Sequence, residues 1–177
     1  MPNNKLDFFE LERESITVTK ATLPDLDEYV KYLKEIWNAK WITNDGKLLQ
    51  LFEQQLERYL KINNLMAVSN GTLALQIAIK SLNLKGDIIT TPFTFAATTN
   101  AILWEGYNPI FADIDPETFN IDPFDVERKI TENTKAIMPV QIGGQPCNME
   151  RIMAIAKKHN LKVIEDAAQA HLEEMTR

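Results

Sequence analysis

Between residues 65 and 166 the chain alternates two hydrophobic rhythms. Short continuous apolar runs stand at "LMAVS" (65–69), "DIITT" (87–91), "PIFADI" (109–114), "KAIMPVQ" (135–141) and "LKVIED" (161–166). Runs of this length, bounded by turn residues, predict strands; apolarity at successive positions predicts strands covered on both faces. Between them lie "GTLALQIAIKSL", ending near Gly86, "FAATTNAILWEG", closed by Gly106, "PFDVERKI" and "MERIMAIAKKHN". Their apolar positions recur at helical spacing. Five strands alternating with four helices predict an α/β fold with a mostly parallel sheet flanked by helices.

The chain ahead of this region has a different pattern. Residues 1–40 read as an amino-terminal helical segment: Leu26, Tyr29, Val30, Leu33, Ile36 and Trp37 share one helix face, and Pro24 fits a first turn. Asn44-Asp45-Gly46 is a turn signal. A second amphipathic helix carries Leu49, Phe52, Leu56, Tyr59 and Leu60. Both helices are expected to pack their apolar faces.

Composition narrows the class. The 177 residues suit one domain or most of one, and 45% hydrophobic content is enough for a core. A net charge of −6 argues against nucleic acid or an anionic membrane as partner, since both reward clustered Lys and Arg. Cys147 is the sole cysteine, which excludes an internal disulfide and suggests a reducing compartment. "MPNNKLDFFELERES" lacks the apolar core of a signal peptide, and no stretch approaches a membrane span. A soluble cytoplasmic protein is expected.

Open α/β sheets keep their chemistry at the carboxyl ends of the strands. After "LMAVS" comes "NGT" (70–72). Gly71 can take φ > 0 and admit a ligand to the backbone, Thr72 adds a hydroxyl, and the helix start offers free N–H groups that suit a phosphate. The same residues also fit a plain strand-to-helix turn capped by Asn70 or Thr72. Neither G-x-G-x-x-G nor G-x-x-x-x-G-K-[ST] is present. Phe93 and Phe95 follow the second strand, as core filling or as a flat wall for an aromatic ring. Asp166 follows the last strand, with Gln169 and His171 behind it. It can cap the next helix or hold a positive charge on a ligand. Taken together, a phosphate cradle, an aromatic stacker and a carboxylate are what a pyridine cofactor with a phosphate arm needs.

Six segments in order then carry a resemblance: "WITNDGKLLQLFEQQLERYL", "VSNGTLALQIAI", "TPFTFAATTNAI", "FADIDPETFNID", "PVQIGGQP" and "VIEDAAQAH". From about Trp41 to His171 the chain resembles the nucleotide-sugar aminotransferases of the DegT/DnrJ/StrS type. These use pyridoxal 5'-phosphate (PLP) on the fold-type-I scaffold. The resemblance implies that residues 41–171 form part of a PLP-binding large domain. It implies that Gly71 and Thr72 bind the cofactor phosphate, that Phe95 stacks on the ring, that Asp166 pairs with the pyridinium nitrogen and that Gln169 sits near the ring hydroxyl. Asn44, Asp45 and Gly46 would lie near the sugar nucleotide. The implied substrates are a nucleotide-linked keto-sugar and an amino donor such as glutamate, and the implied assembly is a homodimer.

Two departures from the family pattern stand out. Pro139-Val140-Gln141 replaces a frequent Pro-Val-His. After "AQAH" the text becomes "LEEMTR", a divergent tail over 172–177. The Schiff-base lysine, the rest of the large domain and the small carboxyl-terminal domain are therefore expected to be absent from the chain. No catalytic residue is assigned: Lys80, Lys85, Lys157 and Lys158 fit solvation and helix ends. His159 and His171 are too few and too isolated for a metal site. The alternatives are a non-catalytic remnant or misread gene fragment, and a nicotinamide-dependent doubly wound domain that lacks the glycine fingerprint.

Overall fold

A computed structural model describes residues 20–170. The expectations for residues 1–19, for His171 and for the tail at 172–177 lie outside the described residues. The chain divides into two compact units, Met1–Gln55 and Leu56–Arg177.

In the first unit, α1 (Leu26–Ala39) is started by Asp25, whose carboxylate accepts from Glu28 N at 3.0 Å. It ends on Lys40 in the left-handed conformation, and α2 (Lys47–Leu60), whose last residues from Leu56 belong to the second unit, follows after the Asn44–Gly46 turn. The expected helices form, but their expected burial does not occur. No residue of α1 or α2 is buried, and Leu26, Tyr29, Trp37 and Phe52 are exposed. Periodicity specifies an apolar face; a cover for that face has to come from elsewhere.

In the second unit, the main elements are α3 (Gly71–Ser81), β1 (Asp87–Thr90), α4 (Ala96–Trp104), β2 (Pro109–Phe111), α5 (Pro123–Lys129), β3 (Thr134–Ile137), α6 (Met149–His159) and β4 (Lys162–Val163). The strands form one parallel sheet in the order β2-β1-β3-β4. Side chains alternate across it as the pleat requires. Ile88, Ala136 and Ile164 join Leu75, Ile79, Ala101 and Ile102 of α3 and α4 on one face. Ile89, Ile137 and Ile121 join Val126 of α5 and Ile152 and Ile155 of α6 on the other. Each fully buried isoleucine or valine among these contributes about 1.5–3 kcal/mol through its removal from water.

The sheet therefore has four strands, not the five expected. Residues 65–69 are not among the strands of this sheet. A short apolar run signals burial, whereas a strand also needs a partner edge, and the pattern cannot supply one. The remaining strands are shorter than expected, but their pairing runs on. Ile164 N donates to Ile137 O at 3.0 Å, and Val140 and Asp166 form an isolated parallel bridge. Pro139 interrupts the ladder because it has no N–H to donate. No helix among the described residues is long and apolar enough to cross a membrane.

Candidate functional site

The strand order creates a switch point. From β1 the chain leaves through α4 on one face, and from β3 it leaves through α6 on the other. The connections that leave these neighbouring strand ends thus diverge, and the sheet edge between them is the usual ligand position in such sheets. Thr90 Oγ1 donates to Met138 O at 2.9 Å and ties the two ends together.

Asp166 lies at this carboxyl edge, at the end of the β4 segment, 6% exposed. Its backbone holds the bridge: Asp166 N donates to Pro139 O at 2.9 Å, and Gln141 N donates to Asp166 O at 3.1 Å. Its carboxylate meets donors only. Thr98 Oγ1 donates to Oδ2 at 2.7 Å and Ala168 N donates to Oδ1 at 3.2 Å. Each oxygen keeps a second lone pair. A buried carboxylate with spare acceptor capacity at the carboxyl edge of the sheet suits a cationic N–H on a ligand.

Phe95 immediately precedes α4 and is 74% exposed, which corrects the core-filling alternative for this ring. Phe93 is also exposed, and its ring lies 5.8 Å from that of Phe119. Thr98 stands one turn after Phe95, so the start of one helix carries both the ring and the donor to Asp166.

Gly71 opens α3. The short link from Ser81 to β1 makes α3 antiparallel to the strands, so its amino terminus lies at the carboxyl edge of the sheet. Asn70 is the cap, with Oδ1 accepting from Leu73 N at 2.9 Å. The first N–H groups, those of Gly71 and Thr72, have no partner among the described residues. The expectation of φ > 0 at Gly71 is not met: the glycines with positive φ are 86, 106, 143 and 144. Gly71 is helical instead, and a Cβ there would meet nothing within 4 Å. Open space before free N–H groups at a helix start suits a phosphate.

Gln169 is exposed, and its Oε1 accepts from Gly143 N at 2.7 Å. With the carbonyl end occupied, the amide end is left to donate. Gln141, in place of the frequent histidine, is buried and stitched in: its Oε1 accepts from Cys147 N at 2.5 Å and its Nε2 donates to Glu165 Oε2 at 3.1 Å. The neighbouring Cys147 thiol is pushed up to about 11 by burial, which suppresses thiolate chemistry.

Asn44, Asp45 and Gly46 belong to the first unit. The turn is braced by Trp41 Nε1, which donates to Asn44 O at 3.0 Å, and by Gln50 Nε2, which donates to Asp45 Oδ1 at 3.0 Å. Asp45 and Gly46 line a cavity of about 1040 Å³ with Trp41, Ile42 and Leu49. Asn44 is not among its lining residues.

Thr98, Thr94 and Gly143 escaped the reading of the sequence. A threonine inside a helix carries no signal of its own; its helical spacing from Phe95 was the one feature that could have found it.

The fold defines a parallel-sheet α/β protein whose carboxyl edge carries a buried carboxylate, an exposed aromatic ring and an open helix start. Residues 25–176 match the DegT/DnrJ/EryC1/StrS aminotransferase family, and the chain belongs to it. It is 43% identical over 157 residues to a dTDP-4-amino-4,6-dideoxy-D-glucose transaminase of Escherichia coli, covering 89% of this chain and 42% of that relative. It is 42% identical over 142 residues to GDP-perosamine synthase of Escherichia coli O157:H7, covering 79% of this chain and 39% of the relative. Among solved structures it is similar to NtdA of Bacillus subtilis with bound cofactor PMP, with TM-score 0.77 and 38% identity over 89% of this chain and 38% of that one. The chain thus spans less than half the length of these relatives. The family is one of aminotransferases, not of nicotinamide-dependent domains.

Proposed function

We propose that this chain carries the PLP-holding part of a sugar aminotransferase acting on a nucleotide-linked keto-sugar, with an amino donor such as glutamate, in a cytoplasmic homodimer. The observation that carries it is the buried Asp166 carboxylate, which meets donors only at the carboxyl edge of the sheet. Two named relatives, a dTDP-sugar transaminase and a GDP-perosamine synthase, support the substrate class.

PLP, when bound, supplies an electron sink for transamination. The chain's residues supply its placement. Gly71 and Thr72 hold the phosphate with the free N–H groups at the start of α3. Phe95 covers one ring face. Asp166 accepts the pyridinium N–H, and Gln169 turns its amide donor to the ring hydroxyl. Asn44, Asp45 and Gly46 face the sugar nucleotide. Activity, substrates and dimerisation are properties of the whole protein that carries this sequence.

The test is Asp166→Ala in that intact protein, with transamination of a keto-sugar nucleotide and PLP affinity measured side by side. Loss of a charge partner aimed at the reacting ring is expected to slow turnover on the order of a hundredfold or more, with the fold retained. Near-normal turnover would remove Asp166 from the role.

A further inference from the structure

Thr98 is fully buried, and its hydroxyl makes two contacts: 2.7 Å to Asp166 Oδ2 and 2.8 Å to Thr94 Oγ1. An ionised carboxylate can only accept, so the proton in the first contact is Thr98's. A hydroxyl has one proton. The second contact must therefore carry the proton of Thr94, with Thr98 accepting. The three side chains form a chain of fixed direction, Thr94 to Thr98 to Asp166.

We propose that Thr98 is a positioning residue, which with Thr94 behind it holds the plane of the Asp166 carboxylate so that a free lone pair meets the cofactor's ring N–H. This rests on the PLP reading of the site. The terminal torsion of an aspartate is broad and roughly two-fold, so burial alone does not set the carboxylate plane. Two donors do, one on each oxygen: Thr98 on Oδ2 and Ala168 N on Oδ1. Thr98 N also donates to Phe95 O at 3.2 Å. One helical turn thus carries both Phe95 and the carboxylate clamp. A threonine hydroxyl in a helix commonly bonds back to its own helix's carbonyls. Here it reaches a residue 68 positions away.

The experiment titrates two probes into the intact protein carrying this sequence: PLP, and its carbocyclic analogue in which CH replaces the ring nitrogen. Thr98→Val keeps the branched shape and removes the donor. It is expected to weaken PLP about tenfold, or about 1.4 kcal/mol, near the lower edge for a hydrogen bond to a charged group. Analogue affinity should stay unchanged. Thr98→Ser restores the hydroxyl and should stand within about twofold of the parent. Should Thr98→Val fail to fold by circular dichroism, Thr94→Val, at the half-buried outer end of the chain, carries the test, with a smaller loss of the same selectivity.

Equal PLP affinity in Thr98→Val and the parent overturns the proposal. So does an equal loss for both probes, or a Thr98→Ser variant as weak as Thr98→Val. A parent that does not distinguish PLP from the analogue overturns the role of Asp166 itself, and the proposal with it. A parent that distinguishes them equally well in all variants leaves Asp166 standing and removes only Thr98.

Discussion

Replacing Gly71 by alanine separates folding from ligand binding, because the two effects have opposite signs. A Cβ at this position meets nothing within 4 Å, and the backbone is helical without positive φ. Alanine therefore fits without strain. It also restricts the unfolded chain, so the ligand-free protein is expected to gain about 0.4–1 kcal/mol. The same methyl stands in open space beside the N–H groups of Gly71 and Thr72, where a phosphate would approach. Loss of one charge-assisted hydrogen bond costs about 1.5–3 kcal/mol, so PLP affinity should fall at least about tenfold. Urea denaturation of the ligand-free protein measures the first effect. Titration with PLP measures the second, and titration with pyridoxal, which lacks the phosphate, is the control that should not move. An unchanged PLP affinity would refute the phosphate assignment. A destabilised ligand-free protein would refute the premise that the space is open.

Two further outcomes are expected. Gly86 has φ +156, and a Cβ there would collide with the Asn133 carbonyl and approach Lys135 Cγ to 2.8 Å. Gly86→Ala should therefore cost about 2–4 kcal/mol in urea denaturation, as strain plus clash; an unshifted midpoint contradicts this. Asp125 is an acid-sensitive carboxylate: burial pushes its pKa up, but the Asp113 N–H and the Arg128 guanidinium outweigh it and leave the group below its usual value. Its contribution is then complete above the unfolded value of about 3.9 and is lost as pH falls from there through the lower folded value. The stability gap between the parent and Asp125→Asn should accordingly shrink below about pH 4, and a gap that widens in acid would show the sign to be wrong.

How much of the fold was legible depended on which property each element needs. The helices need only their own spacing and ends, and both are local. Asp122 and Asn148 cap α5 and α6, and Asn160 closes α6 in the left-handed conformation. Strand pairing is not local. "LMAVS" and "DIITT" look equally apolar, yet only the second forms a strand of the sheet, between β2 and β3. The faces of α1 and α2 fail for the same reason. Their apolar stripes are real, but a stripe does not name its cover.

The site divides along a similar line. Asp166, Phe95 and Gly71 could be found because each breaks a local expectation: an acid after a buried strand, an aromatic ring at a strand end, a glycine opening a helix. The groups that orient them break none. Thr98 is an ordinary helical threonine until the sheet order brings the end of the β4 segment beside α4, and Gly143 is an ordinary turn glycine until its N–H meets Gln169. Gln141 shows the converse. It departs from the histidine frequent at this position, which invited doubt about a ligand role, yet both ends of its amide are committed to Cys147 N and Glu165. An amide supplies an acceptor and a donor at once, whereas a neutral imidazole has one of each at fixed ring positions. At Gln141 the side chain thus joins the segment after β3 to the segment after β4, the two segments that hold Asp166 in place.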